Sequence, residues 1–175
     1  MGMTRASIVP TDDRLEATDA RLDATDARLL LALIRQPRAT AIALAQRLGI
    51  SRNTVQSRLA RLEQENGPLH SFERRVSPKT LGYPLTAYVT AQVIQRELSK
   101  AAAALAAIPE VLHVQGISGQ SDLLVQVAAA DADDLYRIAG QILAIPEIER
   151  TSTALVMREL VDYRITPLLR RLIDT

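Results

Sequence analysis

The sequence predicts an α+β chain in two parts, one helical and one built on a sheet, and three observations predict it. Residues 40–64, TAIALAQRLGISRNTVQSRLARLEQ, carry two short apolar stripes of helical period joined at a glycine. Beyond Pro78 and Pro84 the apolar period changes from that of a helix to that of a strand. The tetrapeptide Ile108-Pro109-Glu110-Val111 recurs 37 residues later as Ile145-Pro146-Glu147-Ile148, each time at a predicted helix-to-strand joint.

The first observation reads as a helix-turn-helix. Thr40 is placed to cap a helix whose buried face is Leu44, Ala45 and Leu48. Gly49 follows and can take the positive φ that ends a helix. Ile50 plugs the corner, and Ser51 caps a second helix that buries Val55, Leu59 and Leu62. Two helices crossing over so short a turn need a small residue where they meet, and Ala45 supplies it.

The second helix keeps a polar side. Ser51, Arg52, Asn53, Thr54, Gln56, Ser57, Arg58 and Arg61 are candidates for contacts with base edges or phosphates of double-stranded DNA. Arg52 and Gln56 are expected nearest the bases. Arg58 has a second reading, an ion pair within the chain to Glu63 or another acid. The plain alternative for the whole stretch is a helical hairpin with a solvated face. Charge weighs against it: residues 28–79 hold ten Arg and Lys against three acids, a net +7 in a chain of net +1. The flanks, 1–27 and 81–175, are each −3, so a polyanion would meet the middle of the chain.

Composition bounds the rest. A chain of 175 residues with 47% hydrophobic content can form one large core or two small ones. Aromatics are 3% with no Trp, so the core must be aliphatic and alanine-rich. There is no Cys, which excludes disulfides and thiolate metal sites. No apolar run approaches the roughly 20 residues of a spanning helix, and no signal peptide is read at the start. The expected setting is the cytoplasm, in association with the nucleoid and without a membrane.

Residues 1–24 read as an acidic arm. Leu15-Glu-Ala-Thr-Asp-Ala-Arg21 recurs as Leu22-Asp-Ala-Thr-Asp-Ala-Arg28, a heptad with Leu15, Leu22 and Leu29 in register. Two copies suit a duplicated helix-start signal better than a coiled coil. A first helix follows from about Asp26 to Gln36, with Leu29, Leu30, Leu33 and Ile34 as its stripe and Pro37 as its stop. Residues 25–76 then make a winged helix-turn-helix domain. Its wing would begin at the Gly67-Pro68 turn and include Phe72, with Arg74 and Arg75 either at phosphates or in a solvated turn. Residues 77–84 read as a linker.

Residues 85–160 carry the second part. Leu85, Ala87, Val89, Ala91 and Val93 alternate with Thr86, Tyr88, Thr90 and Gln92, as in a strand. A helix over 97–107 follows, then strands over 111–117 and 123–128 joined by Ser118-Gly119-Gln120-Ser121-Asp122. Asp131 and Asp134 start another helix, with Leu135, Ile138, Ala139, Ile142 and Leu143 inward, and a strand over 148–158 ends the domain. The order βαββαβ is that of a ferredoxin-like domain. Its helices lie on one side of the sheet. The other face is expected to be apolar and to pair in a homodimer through the strand 85–94. Residues 161–175 read as a tail.

Several of these stretches resemble the leucine-responsive regulator (Lrp/AsnC) family of transcription factors. They are Leu22-Asp23-x-x-Asp26, Leu44-Ala45-x-x-Leu48-Gly49-Ile50-Ser51, and Val55-Gln56-x-Arg58-Leu59-x-x-Leu62-Glu63. Leu81-Gly82, Ile108-Pro109-Glu110-Val111, Gly119-x-x-Asp122 and Arg150-Thr151-x-Thr153 continue the series. Their order and spacing carry the resemblance from about Leu22 to Pro167. It implies a sequence-specific regulator of transcription whose C-terminal domain senses a small-molecule effector, an amino acid or a relative of one. It also implies a homodimer assembling to a tetramer or octamer. The resemblance places the effector near Gly119, Gln120, Ser121 and Asp122, with Thr151 and Thr153 on the last strand as further contacts. From the residues alone, the loop reads better as a hairpin turn with Asp122 bonded to its own loop backbone, and the threonines as a cross-strand pairing. Two departures stand out. The family's Gly-Val-Ile-x-x-Tyr is here Gly67-Pro68-Leu69-x-x-Phe72, and its Gly-Asp-Tyr-Asp loop is Gly119-Gln120-Ser121-Asp122.

An enzyme reading finds little support. His70 and His113 fall in different domains, and no metal-ligand spacing occurs. No cofactor is expected, and no metal site. Two other classes are open: an architectural, nucleoid-type DNA-binding protein without an effector, and a metabolite-sensing regulatory subunit of an enzyme. The second would leave the +7 segment without a role.

Overall fold

A computed structural model describes residues 22–64, 68–69 and 76–174. They fall into two units. One contains the helices α1 (Ala24–Arg35), α2 (Ala41–Leu48), α3 (Arg52–Leu62) and α6 (Thr166–Asp174). The other contains β1 (Leu85–Val93), α4 (Leu98–Ala106), β2 (Val111–Gly116), β3 (Leu123–Ala129), α5 (Ala132–Leu143) and β4 (Ile148–Leu155). The arm up to Arg21, and Gly67, His70, Phe72, Arg74 and Arg75 of the expected wing, lie outside the described residues.

In the helical unit each start is built by a short polar side chain. The Thr40 hydroxyl accepts from the Ala43 N–H at the head of α2, and the Ser51 hydroxyl accepts from the Thr54 N–H at the head of α3. Gly49 ends α2 at φ 67°, a backbone that a residue with a Cβ adopts only under strain. Helix α1 starts earlier than the expected Asp26. Asp23 is its N-cap, and Asp23 and Asp26 accept from each other's backbone N–H in a reciprocal capping box.

The stripe of α1 also differs from expectation. Asp26, Ala27, Leu29, Leu30 and Ala32 are buried, whereas Ile34 is exposed. The cause lies at the other end of the chain. Residues 161–175, expected as a tail, contain α6, whose Leu169 is buried in the same cluster as Leu29, Leu44, Val55 and Leu62. With α2 on one side and α6 on another, α1 is buried over more than one narrow stripe.

The second unit has the predicted βαββαβ order. Its antiparallel sheet runs β2-β3-β1-β4. Ala87, Val89, Ala91 and Val93 of β1 and Leu123, Val125 and Val127 of β3 pack against Ala101 and Leu105 of α4 and Ile138 and Ile142 of α5. Asp131 caps α5 by accepting from the Asp134 N–H, and Asp134 in turn accepts from the Ala130 N–H.

The face away from these helices departs from the expected apolar surface. It presents Thr86, Tyr88, Thr90 and Gln92 of β1, with Leu124 and Gln126 of β3 and Arg150, Ser152 and Ala154 of β4 beside them in register. A run of exposed apolar side chains lies at the end of the edge strand β4 and just beyond it, at Leu155, Val156, Met157 and Leu160, with Met157 86% exposed. Among the described residues, no helix is long and apolar enough to cross a membrane.

Candidate nucleic-acid interface and effector loop

Helix α3 divides into a held flank and an open side. Val55 and Leu62 are buried and Leu59 half-buried, which seats the helix on α1 and α2. Arg52, Asn53, Gln56, Ser57 and Ala60 are exposed. Thr54 is half-buried, and its hydroxyl lies 2.8 Å from that of the capping Ser51. The Ser57 hydroxyl donates to the Thr54 carbonyl at 3.1 Å. Of the candidates for DNA contact, Arg52, Asn53 and Gln56 therefore stand open to solvent around the exposed first turns of the helix.

Arg58 and Arg61 are placed differently. Arg58 Nη1 donates to Oδ1 of Asp26 and to Oδ2 of Asp23, each at 2.7 Å. Arg61 Nη2 donates to Oδ2 of Asp26 at 2.5 Å. Neither pairs with Glu63. Asp26 is wholly buried, and its two oxygens accept from both guanidinium groups and from the Asp23 N–H. Burial alone would raise its pKa. The hydrogen bonds from Arg58, the Asp23 N–H and Arg61 outweigh that and hold the carboxyl below its ordinary range. Asp23 is also held low, chiefly by the Asp26 N–H. A buried acid in the first turn of α1 went unrecognised in the sequence, where Asp26 reads as a helix-start residue. Two aspartates three apart are accounted for by a capping box, so the sequence carries no separate signal for the ion pairs.

The loop between β2 and β3 is exposed at Gly119 and Gln120 and half-buried at Ser121 and Asp122. Gly119 has φ 120°, so the turn depends on glycine there. The Asp122 carbonyl accepts from the Ile117 N–H across the loop, but its side chain reaches out of the loop to β1. Its Oδ2 accepts from the Val93 N–H at 2.8 Å, at the register shift of β1 after Gln92. Its own N–H donates to the Ala91 carbonyl. Gln92 Nε2 donates to the Gln120 carbonyl at 2.6 Å. The loop is thus tied to β1 at three points.

Thr151 and Thr153 do not join it. Thr151 pairs with Ala91 and Thr153 with Val89, so both side chains lie on the helix-covered side of the sheet, with β1 between them and β3. Gln92 bonds to the loop, and the exposed Arg150 is its partner on β4, one strand further from the loop. Gln92 reads in the sequence as an ordinary polar strand position. Only the register reveals its neighbours. Among the described residues no cluster of metal-binding side chains occurs.

Comparison with known proteins accounts for both units. Residues 86–166 match the family model of the Lrp/AsnC ligand binding domain, and residues 22–66 match that of a winged helix-turn-helix DNA-binding domain. The HTH-type transcriptional regulator AldR of Mycolicibacterium smegmatis is 32% identical over 136 residues, which is 75% of this chain and 79% of that protein. The structure of AsnC from E. coli superposes with a TM-score of 0.71 at 26% identity, covering 84% of this chain and 99% of that one. A feast or famine regulatory protein of M. tuberculosis, complexed with L-methionine, superposes with a TM-score of 0.70 at 29% identity, covering 82% and 97%. These relatives are regulators of transcription, not enzymes. With a winged helix-turn-helix followed by a ferredoxin-like sheet domain, the chain belongs to the Lrp/AsnC family of DNA-binding transcriptional regulators.

Proposed function

We propose that the chain reads an operator with the open side of α3 and changes that binding when an amino acid occupies the surroundings of the β2–β3 loop. The observation that carries the reading is the exposed group Arg52, Asn53 and Gln56 on a helix whose other sides are held. Its N-terminus, with Ser51 as cap, presents the positive end of the helix dipole and N–H groups suited to a phosphate. Arg52 and Gln56 carry the side chains that pair with guanine and adenine edges, Asn53 reaches a base or a phosphate, and Ser51, Thr54 and Ser57 line the approach.

The effector reading rests on the L-methionine complex of the M. tuberculosis relative and on the chemistry around the loop. Gly119 leaves its backbone open to a small ligand, and Arg150, beside Gln92, is a cation for a carboxylate. Asp122 holds β1, leaving its second oxygen for an ammonium group. Gln120 and Ser121 select the side chain. Thr151 and Thr153, on the other side of the sheet, have no part in this set. A second copy covers the Tyr88 face and the apolar run from Leu155, giving a homodimer that can build a tetramer or octamer. The protein works in the cytoplasm, on the nucleoid.

The test combines a gel-shift titration with an amino-acid screen. Arg52→Ala and Gln56→Ala should each weaken operator binding about tenfold or more, as one lost base contact does at roughly 1–3 kcal/mol. At least one amino acid should shift the wild-type titration. Unchanged affinity and sequence preference in both variants would rule out the α3 reading. If no amino acid moves either the titration or the thermal midpoint, the protein is an architectural DNA binder instead.

A further inference from the structure

We infer that Asp26 is a positioning residue of the DNA-reading helix: it holds Arg58 and Arg61 on the flank of α3, away from phosphate, and so limits how tightly the protein binds DNA of any sequence. This rests on the proposed reading of α3 as the helix that meets DNA.

Arg58 and Arg61 lie three residues apart and therefore on one flank of α3. Both reach the same buried carboxylate, one guanidinium to each oxygen, at 2.7 Å and 2.5 Å. Asp23 adds a second acid to Arg58. Two cations meet two anions, and the cluster is neutral as a unit. An arginine cannot lose its proton in a protein, so pairing is the only way to withdraw its charge from a phosphate backbone. Pairing also fixes direction. The side chains that could reach the DNA backbone from this flank are anchored to α1.

The consequence concerns specificity. Sequence-independent affinity comes from cations that displace condensed counterions, each adding about 0.9 to the slope of log affinity against log salt. Base-edge contacts add little to that slope. Withdrawing two arginines of α3 lowers binding to arbitrary DNA while leaving Arg52, Asn53 and Gln56 to read bases, and the ratio between operator and bulk DNA widens. A structural ion pair without this role would affect stability and leave the salt slope alone.

The test is fluorescence anisotropy of the full chain with a duplex of arbitrary sequence over a series of salt concentrations. Asp26→Asn keeps the shape and one acceptor for the Asp23 N–H, releases Arg61 and leaves Arg58 on Asp23 alone. It should steepen the slope by about one unit and tighten low-salt binding several-fold. Arg58→Gln and Arg61→Gln, made with Asp26 intact, should leave the slope at the wild-type value. A wild-type slope in Asp26→Asn overturns the inference. So does a drop of about 0.9 in either glutamine variant, and those two variants decide alone if Asp26→Asn does not fold. Arg52→Gln, read out as affinity for the operator, separates the two levels. Lost operator affinity in Arg52→Gln with a wild-type slope in Asp26→Asn removes this inference only. Unchanged operator affinity in Arg52→Gln removes the reading of α3 and the inference with it.

Discussion

The Arg58 guanidinium and the Asp26 carboxylate are 2.7 Å apart across 32 residues of sequence, and the aspartate has no exposed surface. They tie the recognition helix to the first turn of α1. Removing one partner of a wholly buried pair costs about 3–5 kcal/mol. Here Arg58 and Arg61 keep 25% and 43% of their side-chain surface in solvent, so Asp26→Asn should cost less, about 2–3 kcal/mol at neutral pH. The cost should depend on pH. The folded pKa of Asp26 lies below the ordinary aspartate value of 3.8. Its stabilisation is therefore complete above about pH 4 and is lost as the pH falls through the folded value. Urea unfolding of wild type and Asp26→Asn from pH 7 to pH 3 should show curves that converge at the acid end. A gap that stays constant with pH would mean that the carboxylate charge adds no stability.

Helix α6 makes the end of the chain part of the helical core. Leu169 is 5% exposed among Leu29, Leu44, Val55 and Leu62. Leu169→Ala should cost about 2–4 kcal/mol, the range for a core leucine whose cavity only partly closes. Leu168 and Leu172, both exposed on the same helix, serve as controls and should cost under about 1 kcal/mol when changed to Ala. Denaturant melts of the three variants check this. Equal effects in all three would mean that α6 is not held by its Leu169 face.

The strand β1 turns alternate residues to the two faces of the sheet. Val89 is wholly buried under α4 and α5, whereas its neighbour Tyr88 lies on the opposite face between Gln126 and Ala154. Val89→Asp places an unpaired charge in the core and should abolish the folded circular-dichroism signal. Tyr88→Asp should keep that signal and reduce the mass seen by light scattering. If Tyr88→Asp leaves the mass unchanged, or the wild type is a monomer at micromolar concentration, the Tyr88 face is not the dimer surface.

Local rules account for what was legible in the sequence. Caps, glycine corners and apolar periods act over four to eight residues, and Thr40, Gly49, Ser51 and Asp131 each stand where those rules put them. The errors come from contacts that the rules do not span. Asp26 reads as a helix-start residue, which it is, but its ion pairs go unread because the two arginines are more than 30 residues away. Residues 166–174 read as a tail because the stripe of α6 finds its partner on α1, at the far end of the chain. The face opposite the helices was expected to be apolar, although its own residues, Thr86, Tyr88, Thr90 and Gln92, already spelled out a mixed surface. The loop shows the same limit. Its turn residues are read from the sequence, but the bond from Gln92 to it, and the turning of Thr151 and Thr153 to the other side of the sheet, follow from the register of paired strands.

The last prediction concerns Asp122, which has two candidate roles that its geometry separates. One oxygen accepts from the Val93 N–H at 2.8 Å and extends the bonding of β1 just beyond its last pair with β3, Ala91 with Leu123. Asp122→Ala deletes that bond and any ligand contact together, so its effect is ambiguous. Asp122→Asn keeps an acceptor for Val93 and removes the charge. If the carboxylate also takes the ammonium group of an amino acid, Asp122→Asn should lose at least about tenfold in effector affinity, since a hydrogen bond to a charged group contributes roughly 1.5–3 kcal/mol. Its thermal midpoint and effector-free DNA binding should stay near wild type. Arg150→Gln is the companion for the carboxylate end and should weaken the same effector without moving the midpoint. Calorimetry with the best amino acid from the screen decides between the roles. Equal affinity in wild type and Asp122→Asn would leave Asp122 as the brace of β1 alone and shift the ligand towards Gln92 and Arg150.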